Sequence, residues 1–160
     1  TFVQDHGEKL YRRSLYSRIR RTVAPPSMLL FDMPSREMCS VKRTLTNTPL
    51  QALALLNEVT YVEAAKKFAE RMMTKGGTPG ERIAWGFRSA TSRVAEKEEL
   101  EILVKGYERR VERYRRDGKA AEDLLGQGES KIAAYLPKPE MAALTTVANV
   151  ILNLDEVINR

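Results

Sequence analysis

The chain has 160 residues, 42% of them hydrophobic and 30% charged, with a formal net charge of +6. That size and balance fit a single soluble globular domain, able to bury roughly 70% of its unfolded surface. A lone cysteine, Cys39, and a lone histidine, His6, exclude an internal disulfide, a CxxCH haem attachment and a Cys/His zinc site, and argue against a Ser/His/Asp or Cys/His triad.

The charge is uneven. Residues 1–48 hold nine Lys/Arg against four Asp/Glu, a net of +5, and residues 49–160 hold eighteen against seventeen, a net of +1. The basic excess is therefore a local patch in the N-terminal third. No charge-free stretch is longer than the 14 residues between Glu140 and Asp155, too few to span a bilayer. An opening at Thr1, without an initiator methionine or a signal peptide, reads as a fragment of a larger protein.

In chain order, the first expected element is a helix over Glu8–Arg21, with Leu10, Ser14 or Leu15, and Ile19 on roughly one face and arginines on the rest, stopped by Pro25-Pro26. Residues 25–47 form a long connection that is too apolar at Met28, Leu29, Leu30, Phe31 and Met33 to be disordered. It has room for a turn at residues 35–38 capped by Ser35. Three helix starts share one signature: Thr48 with Gln51, Thr60 with Glu63, and Thr78 with Glu81 each match a capping box. Pro49 and Pro79 take first helical positions. Helices are expected over about 49–57, 61–74 and 79–92, the second ended by Gly76-Gly77.

A longer helix over about 95–116 carries Leu100, Val104, Tyr107, Val111 and Tyr114 at heptad spacing. Two heptads are too few for a coiled coil, so the stripe should pack on its own domain. A short helix at 119–125 and irregular residues 126–138 follow. The last helix, about 139–158, is apolar nearly all round from Met141 to Leu154, which marks it as the buried axis. The expected fold is all-α, an irregular bundle of five to seven helices with a long ordered N-terminal connection, forming one domain over residues 1–160. Its expected core is Leu53, Leu56, Phe68, Ile83, Phe87, Leu100, Val104, Leu144, Val147, Ile151 and Leu152. Cys39, beside Met38 and Val41, is expected to be a buried structural thiol.

Two groups of residues stand out as candidate sites. Arg12, Arg13, Arg18, Arg20, Arg36 and Arg43 could hold an anion or an acidic partner, since the guanidinium fork matches oxyanions bidentately. The alternative is a solvated face with arginines paired to Asp32, Glu37 or Glu63. Asp32, Glu37, Asn47, Gln51, Asn57, Glu63, Asn149 and Asn153 form a candidate polar network. Its Asn and Gln members either bind a ligand or cap helix ends. Asp32, Arg36, Glu37 and Arg43 are either an acid–base set or a loop tie. Asn149 and Asn153, four apart on one helix, need partners if buried, and the Arg-rich N-terminal helix is a candidate supplier. Along the 95–116 helix, Lys105, Arg109, Arg110, Arg113, Arg115 and Arg116 outnumber Glu108 and Glu112, either as a nucleic-acid face or as a solvated one with Glu112 paired to Arg116.

The strings TNTPLQALALLNE and VEAAKKFAERM, with YRRSLY, PPSM, FDMPSRE and the closing ILNLDEVINR, together resemble the planctomycete-specific domain one family along almost the whole chain. That resemblance implies the C-terminal domain of a large exported planctomycete protein, periplasmic or at the cell surface, often with a cytochrome c-like domain upstream. The family has no established activity, so it supplies no catalytic residues, and no cofactor or metal is expected in this chain. Where its members tend to carry an aromatic run such as TFWKR after YRRSLY, this chain has Ser17-Arg18-Ile19-Arg20-Arg21, which adds positive charge.

The leading functional reading is a non-catalytic interaction module that contacts upstream domains of its own protein, or an anionic polysaccharide, through the Arg-rich N-terminal third. A rival reading is part of an enzyme site completed by upstream domains, in sulfated-polysaccharide metabolism. Nucleic-acid binding is a third, against which the implied export weighs.

Overall fold

The structure is a computed structural model, and it describes residues 6–12, 14–16, 19, 24–34, 39–42 and 46–159. Among these are eight α-helices, two short 3-10 turns and no strand, six of the helices being of seven residues or more. The all-α expectation holds. The chain comprises two compact units, Thr1–Gln51 and Ala52–Arg160.

In the first unit, Gly7–Tyr11 and Ser14–Tyr16 are 3-10 turns, with Arg12 extended between them. This corrects the expected continuous helix over 8–21. Neither turn contains a buried residue, and a helix of about 14 residues is marginal in water without a face to bury. Helix α1 (Pro26–Leu30) follows, with Pro26 at its first position. It was not expected, lying inside what the sequence reads as a connection. The expected turn at residues 35–38 lies outside the described residues. Cys39 is exposed, against the expectation of a buried thiol, because neither of its described neighbours Ser40 and Val41 is buried.

Helix α2 (Pro49–Asn57) begins in the first unit and ends in the second. Its start is the expected capping box: Gln51 N donates to Thr48 Oγ1 at 3.3 Å and Thr48 N donates to Gln51 Oε1 at 2.8 Å. Gln51 is the one buried residue of the helix. Leu53 and Leu56, expected in the core, are 57% and 44% exposed. At 100° per residue they stand about 200° and about 140° around the helix from Gln51, so turning the glutamine inward turns both leucines out.

The second unit holds helices α3 (Val59–Thr74), α4 (Pro79–Thr91), α5 (Lys97–Arg116), α6 (Gly118–Leu125), α7 (Lys138–Leu152) and α8 (Asp155–Ile158). As the apolar pattern predicts, α7 is the axis: it packs against α3, α4, α5 and α6, and every residue from Met141 to Thr145 is buried. Thr145 and Thr146 do not disturb this, because their hydroxyls donate to the carbonyls of Met141 at 2.8 Å and Ala142 at 3.0 Å, one turn back. Ile83, Phe87, Leu144, Val147 and Ile151 are buried as expected, and Phe68, Leu100, Val104 and Leu152 pack half-buried against them. The heptad stripe of α5 packs within its own unit, with Tyr107 and Val111 buried. Met72 lies so close to α4 that a Cβ at Gly86 would stand 2.6 Å from its methyl, which is why a glycine sits there.

Two boundaries differ from the sequence reading. The expected 139–158 helix ends at Leu152, where Asn153 turns the chain before α8 (Asp155–Ile158). Helix α3 starts at Val59 rather than 61, and its expected Thr60–Glu63 box does not form. Thr60 instead donates to Glu58 Oε1 at 3.0 Å, and Glu63 is buried elsewhere. No helix among the described residues is long and apolar enough to cross a membrane.

Leu144 and Leu53 look alike in sequence and differ in burial, 1% against 57% exposed. Leu144→Ala should lower unfolding free energy by about 2–5 kcal/mol, and Leu53→Ala by no more than about 0.5 kcal/mol. Urea denaturation of the two variants measures both, and equal losses would contradict the packing described.

Candidate functional site

In the first unit the polar network assembles around Asp32 and Gln51. Asp32 sits at the end of α1 with φ 57, a left-handed conformation tolerated by Asp. Its Oδ2 accepts from Thr46 N at 2.8 Å and from Thr46 Oγ1 at 2.7 Å. Gln51 Nε2 donates to Leu30 O at 2.8 Å and to Thr46 Oγ1 at 3.2 Å. Two sequence candidates 19 positions apart thus share Thr46 as a common partner, and the arrangement ties the end of α1 to the start of α2. Its chemistry is that of a loop tie, with Asp32 Oδ2 and both ends of the Gln51 amide engaged by neighbours.

The remaining network candidates lie apart from it. Asn47 is exposed. Asn57 is exposed and caps its own helix, donating to Leu53 O at 2.8 Å. Asn149 is half-buried on α7, and Asn153 at the end of that helix donates to Ala52 O at 3.4 Å. Of the candidate anion-binding arginines, Arg12 is exposed on extended backbone. Arg13, Arg18, Arg20, Arg36 and Arg43, with Glu37, lie outside the described residues.

Glu63 belongs to a different construction, one the sequence did not suggest. Glu63, Lys66, Lys67 and Glu70 recur at i, i+3, i+4 and i+7 on α3, a single stripe beside the apolar one. Lys66 is fully buried. Its ammonium donates to three carbonyls at and just after the end of α6: Leu125 at 3.1 Å, Gln127 at 2.5 Å and Ser130 at 2.8 Å. Glu63 accepts from the Ser130 amide, and Glu70 from the Ala133 amide at 3.0 Å. Lys67 bridges Glu70 at 2.8 Å and Lys131 O at 2.8 Å. Burial pushes the Lys66 ammonium below its usual pKa, and the negative charge of Glu63 opposes that shift. Lys67, followed by the Ala133 amide, holds the Glu70 carboxyl below its usual range. Gly128, at φ +78, lies where any Cβ would come within 2.5 Å of the Glu63 carboxylate. Charges spaced on one helix face before a glycine-containing loop are the only trace of this clamp in the sequence.

A second construction joins three segments. Arg93 Nε and Nη2 donate to Glu156 at 2.8 and 2.7 Å, while Nη1 and Nη2 donate to Glu99 at 2.8 and 2.7 Å. The guanidinium also lies 4.7 Å over the Phe87 ring. Glu99 caps α5 as well, accepting from Glu96 N at 2.8 Å. Glu156 is thus taken up by Arg93, and among the described residues no group of three or more His, Cys, Asp or Glu could hold a metal ion. On the basic face of α5, Arg116 pairs with Glu112 as the solvated-face reading expects. Lys105 pairs with Glu101 at 3.7 Å and Arg115 with Glu140 at 3.4 Å.

Hydrogen bonds from Arg93, then from the Glu96 amide, hold the Glu99 carboxyl down to about 2. Because the folded value lies below the ordinary 4.5, the clamp is fully stabilising above that ordinary value and is lost as pH falls through about 2. An NMR titration of Glu99 should therefore show a midpoint near the depressed value, with the amides of α8 moving in step. A midpoint at the ordinary carboxylate value would contradict the geometry.

The family model described as PSD1, a protein of unknown function (DUF1553), matches residues 1–107. The match takes in the first unit, helices α2 to α4 and the first half of α5, and leaves the closing ILNLDEVINR beyond it. No curated protein and no solved structure shows significant similarity. With two thirds of its length matched, the chain belongs to the PSD1 family of proteins of unknown function.

Proposed function

We propose that this chain is a non-catalytic interaction module of an exported, multidomain planctomycete protein. In this reading it docks an acidic surface of domains upstream in the same protein, a cytochrome c-like domain among them. The observation that carries the reading is the N-terminal third. It holds the net +5, and between its basic residues Leu15 and Tyr16 stand 72% and 67% exposed, in turns that bury nothing. Apolar and aromatic groups interleaved with arginine are the composition of interface cores, where Tyr and Arg are enriched. In the second unit, by contrast, the ionisable groups at the two clamps hold loops and helix ends to one another, which occupies them structurally.

Electrostatic complementarity of this kind sets encounter rate and orientation more than raw affinity, and it weakens with salt. Reversing charge at Arg12, Arg13, Arg18 and Arg20 together should abolish calorimetrically detected docking to the upstream portion of the parent protein. The far-ultraviolet spectrum should stay unchanged. Undiminished docking would place the interface elsewhere. Turnover of a polysaccharide by the longer protein that disappears on Arg36→Ala or Glu37→Ala would replace this reading with that of an enzyme.

A further inference from the structure

A second surface, built wholly from the second unit, has the make-up of a ligand site. Trp85 of α4 is half-buried, its ring tilted 36° to Phe68 at 6.2 Å. Two cations from α3 and its end lie over that ring, Arg71 at 5.8 Å and Lys75 at 5.2 Å from its centre. Trp85, Arg88, Ser89 and Ser92 line a surface groove of about 490 Å³. No carboxylate among the described residues pairs with Arg71, Lys75 or Arg88. Two cations thus lie over one tryptophan, and a third, Arg88, lines the groove beside it.

Ser92 adds an independent mark. It ends α4 in the left-handed conformation, φ 64, a position where glycine is the unstrained choice. A serine there puts a hydroxyl on the groove at the expense of backbone strain, and strain of this kind gathers at ligand-binding positions.

We infer that this groove binds an acidic saccharide: one sugar ring against the Trp85 wall, its carboxylate or sulfate group held by Arg88, with Arg71 and Lys75 over the same tryptophan adding positive charge beside the groove, and its hydroxyls met by Ser89 and Ser92. The chemistry follows from the parts. Arginine matches oxyanions bidentately, and serine both donates to and accepts from sugar hydroxyls. A single aromatic wall with hydroxyls beside it suits one ring, whereas a single-stranded nucleic acid calls for successive stacking platforms along a basic track. The site is independent of the N-terminal surface, since none of its residues comes from there.

Trp85 is the sole tryptophan of the chain, so its emission reports on the groove directly. The whole chain is titrated with a chondroitin sulfate hexasaccharide, with hexagalacturonate, with maltohexaose and with a six-residue oligothymidylate. Expected is a saturable, salt-sensitive change with the sulfated or the carboxylated sugar, the stronger of the two identifying the anionic group, and none with maltohexaose. The Arg71→Ala/Lys75→Ala/Arg88→Ala variant should bind about tenfold more weakly or worse. Ser92→Gly, which relieves the strain and so keeps the fold, should also bind more weakly, while Lys119→Ala, at an exposed cation outside the groove, should bind as the parent does. No response to either charged sugar, an unchanged affinity in the triple and Ser92→Gly variants, or equal affinity for oligothymidylate would overturn the assignment.

Discussion

The second unit depends on one buried positive charge. Burying an ammonium costs several kcal/mol, and the protein tolerates it only where hydrogen bonds and opposite charge replace the lost water. Lys66 meets that condition through three carbonyls and the nearby Glu63. Two of those carbonyls, of Gln127 and Ser130, belong to the irregular stretch between α6 and α7, which has no secondary structure of its own to occupy them, and the third, of Leu125, closes α6. The lysine and the loop therefore satisfy each other. Glu63 and Glu70 complete the arrangement by taking the amides of Ser130 and Ala133. A loop fixed in this way delivers the chain to Pro137 at the angle from which α7 enters the core, so the axis of the bundle inherits its position from α3.

This constraint explains which parts of the fold were legible in the sequence. Local signals were: the Thr48–Gln51 and Thr78–Glu81 boxes form as written, Gly76-Gly77 ends α3, and the apolar run of α7 is the axis. The Thr60–Glu63 box had the same signature and failed, because a carboxylate needed under the Ser130 amide could not also cap its own helix. Leu53 and Leu56 failed for a related reason. The Gln51 side chain, held by Leu30 O and Thr46, decides which face of α2 turns inward. In each case a polar contact reaching far along the chain overrode a local pattern that was itself correctly read.

The candidate site was legible to a lesser degree. Asp32 and Gln51 do meet, through Thr46, but as a tie within the first unit. Asn57 caps a helix end, as the structural alternative anticipated. The Trp85 groove leaves no mark in the sequence because its parts are ordinary alone: Arg71, Lys75, Trp85, Arg88 and Ser92 become neighbours only when α3 and α4 lie side by side. Periodicity shows the face of one helix, and it does not show which surface residues of two helices will share a neighbourhood.

Hydrogen exchange at single amides tests the central claim most directly. Ser130 and Ala133 lie in an irregular surface segment, where amides ordinarily exchange through small local fluctuations. If the α3 clamp fixes that segment, both should exchange as slowly as the amides of α7 in the intact protein, opening only with the whole unit. Lys66→Met should speed their exchange before it alters that of α7. Fast exchange at Ser130 and Ala133 in the parent chain, beside a well-protected α7, would show the loop to be loosely held and would contradict the account.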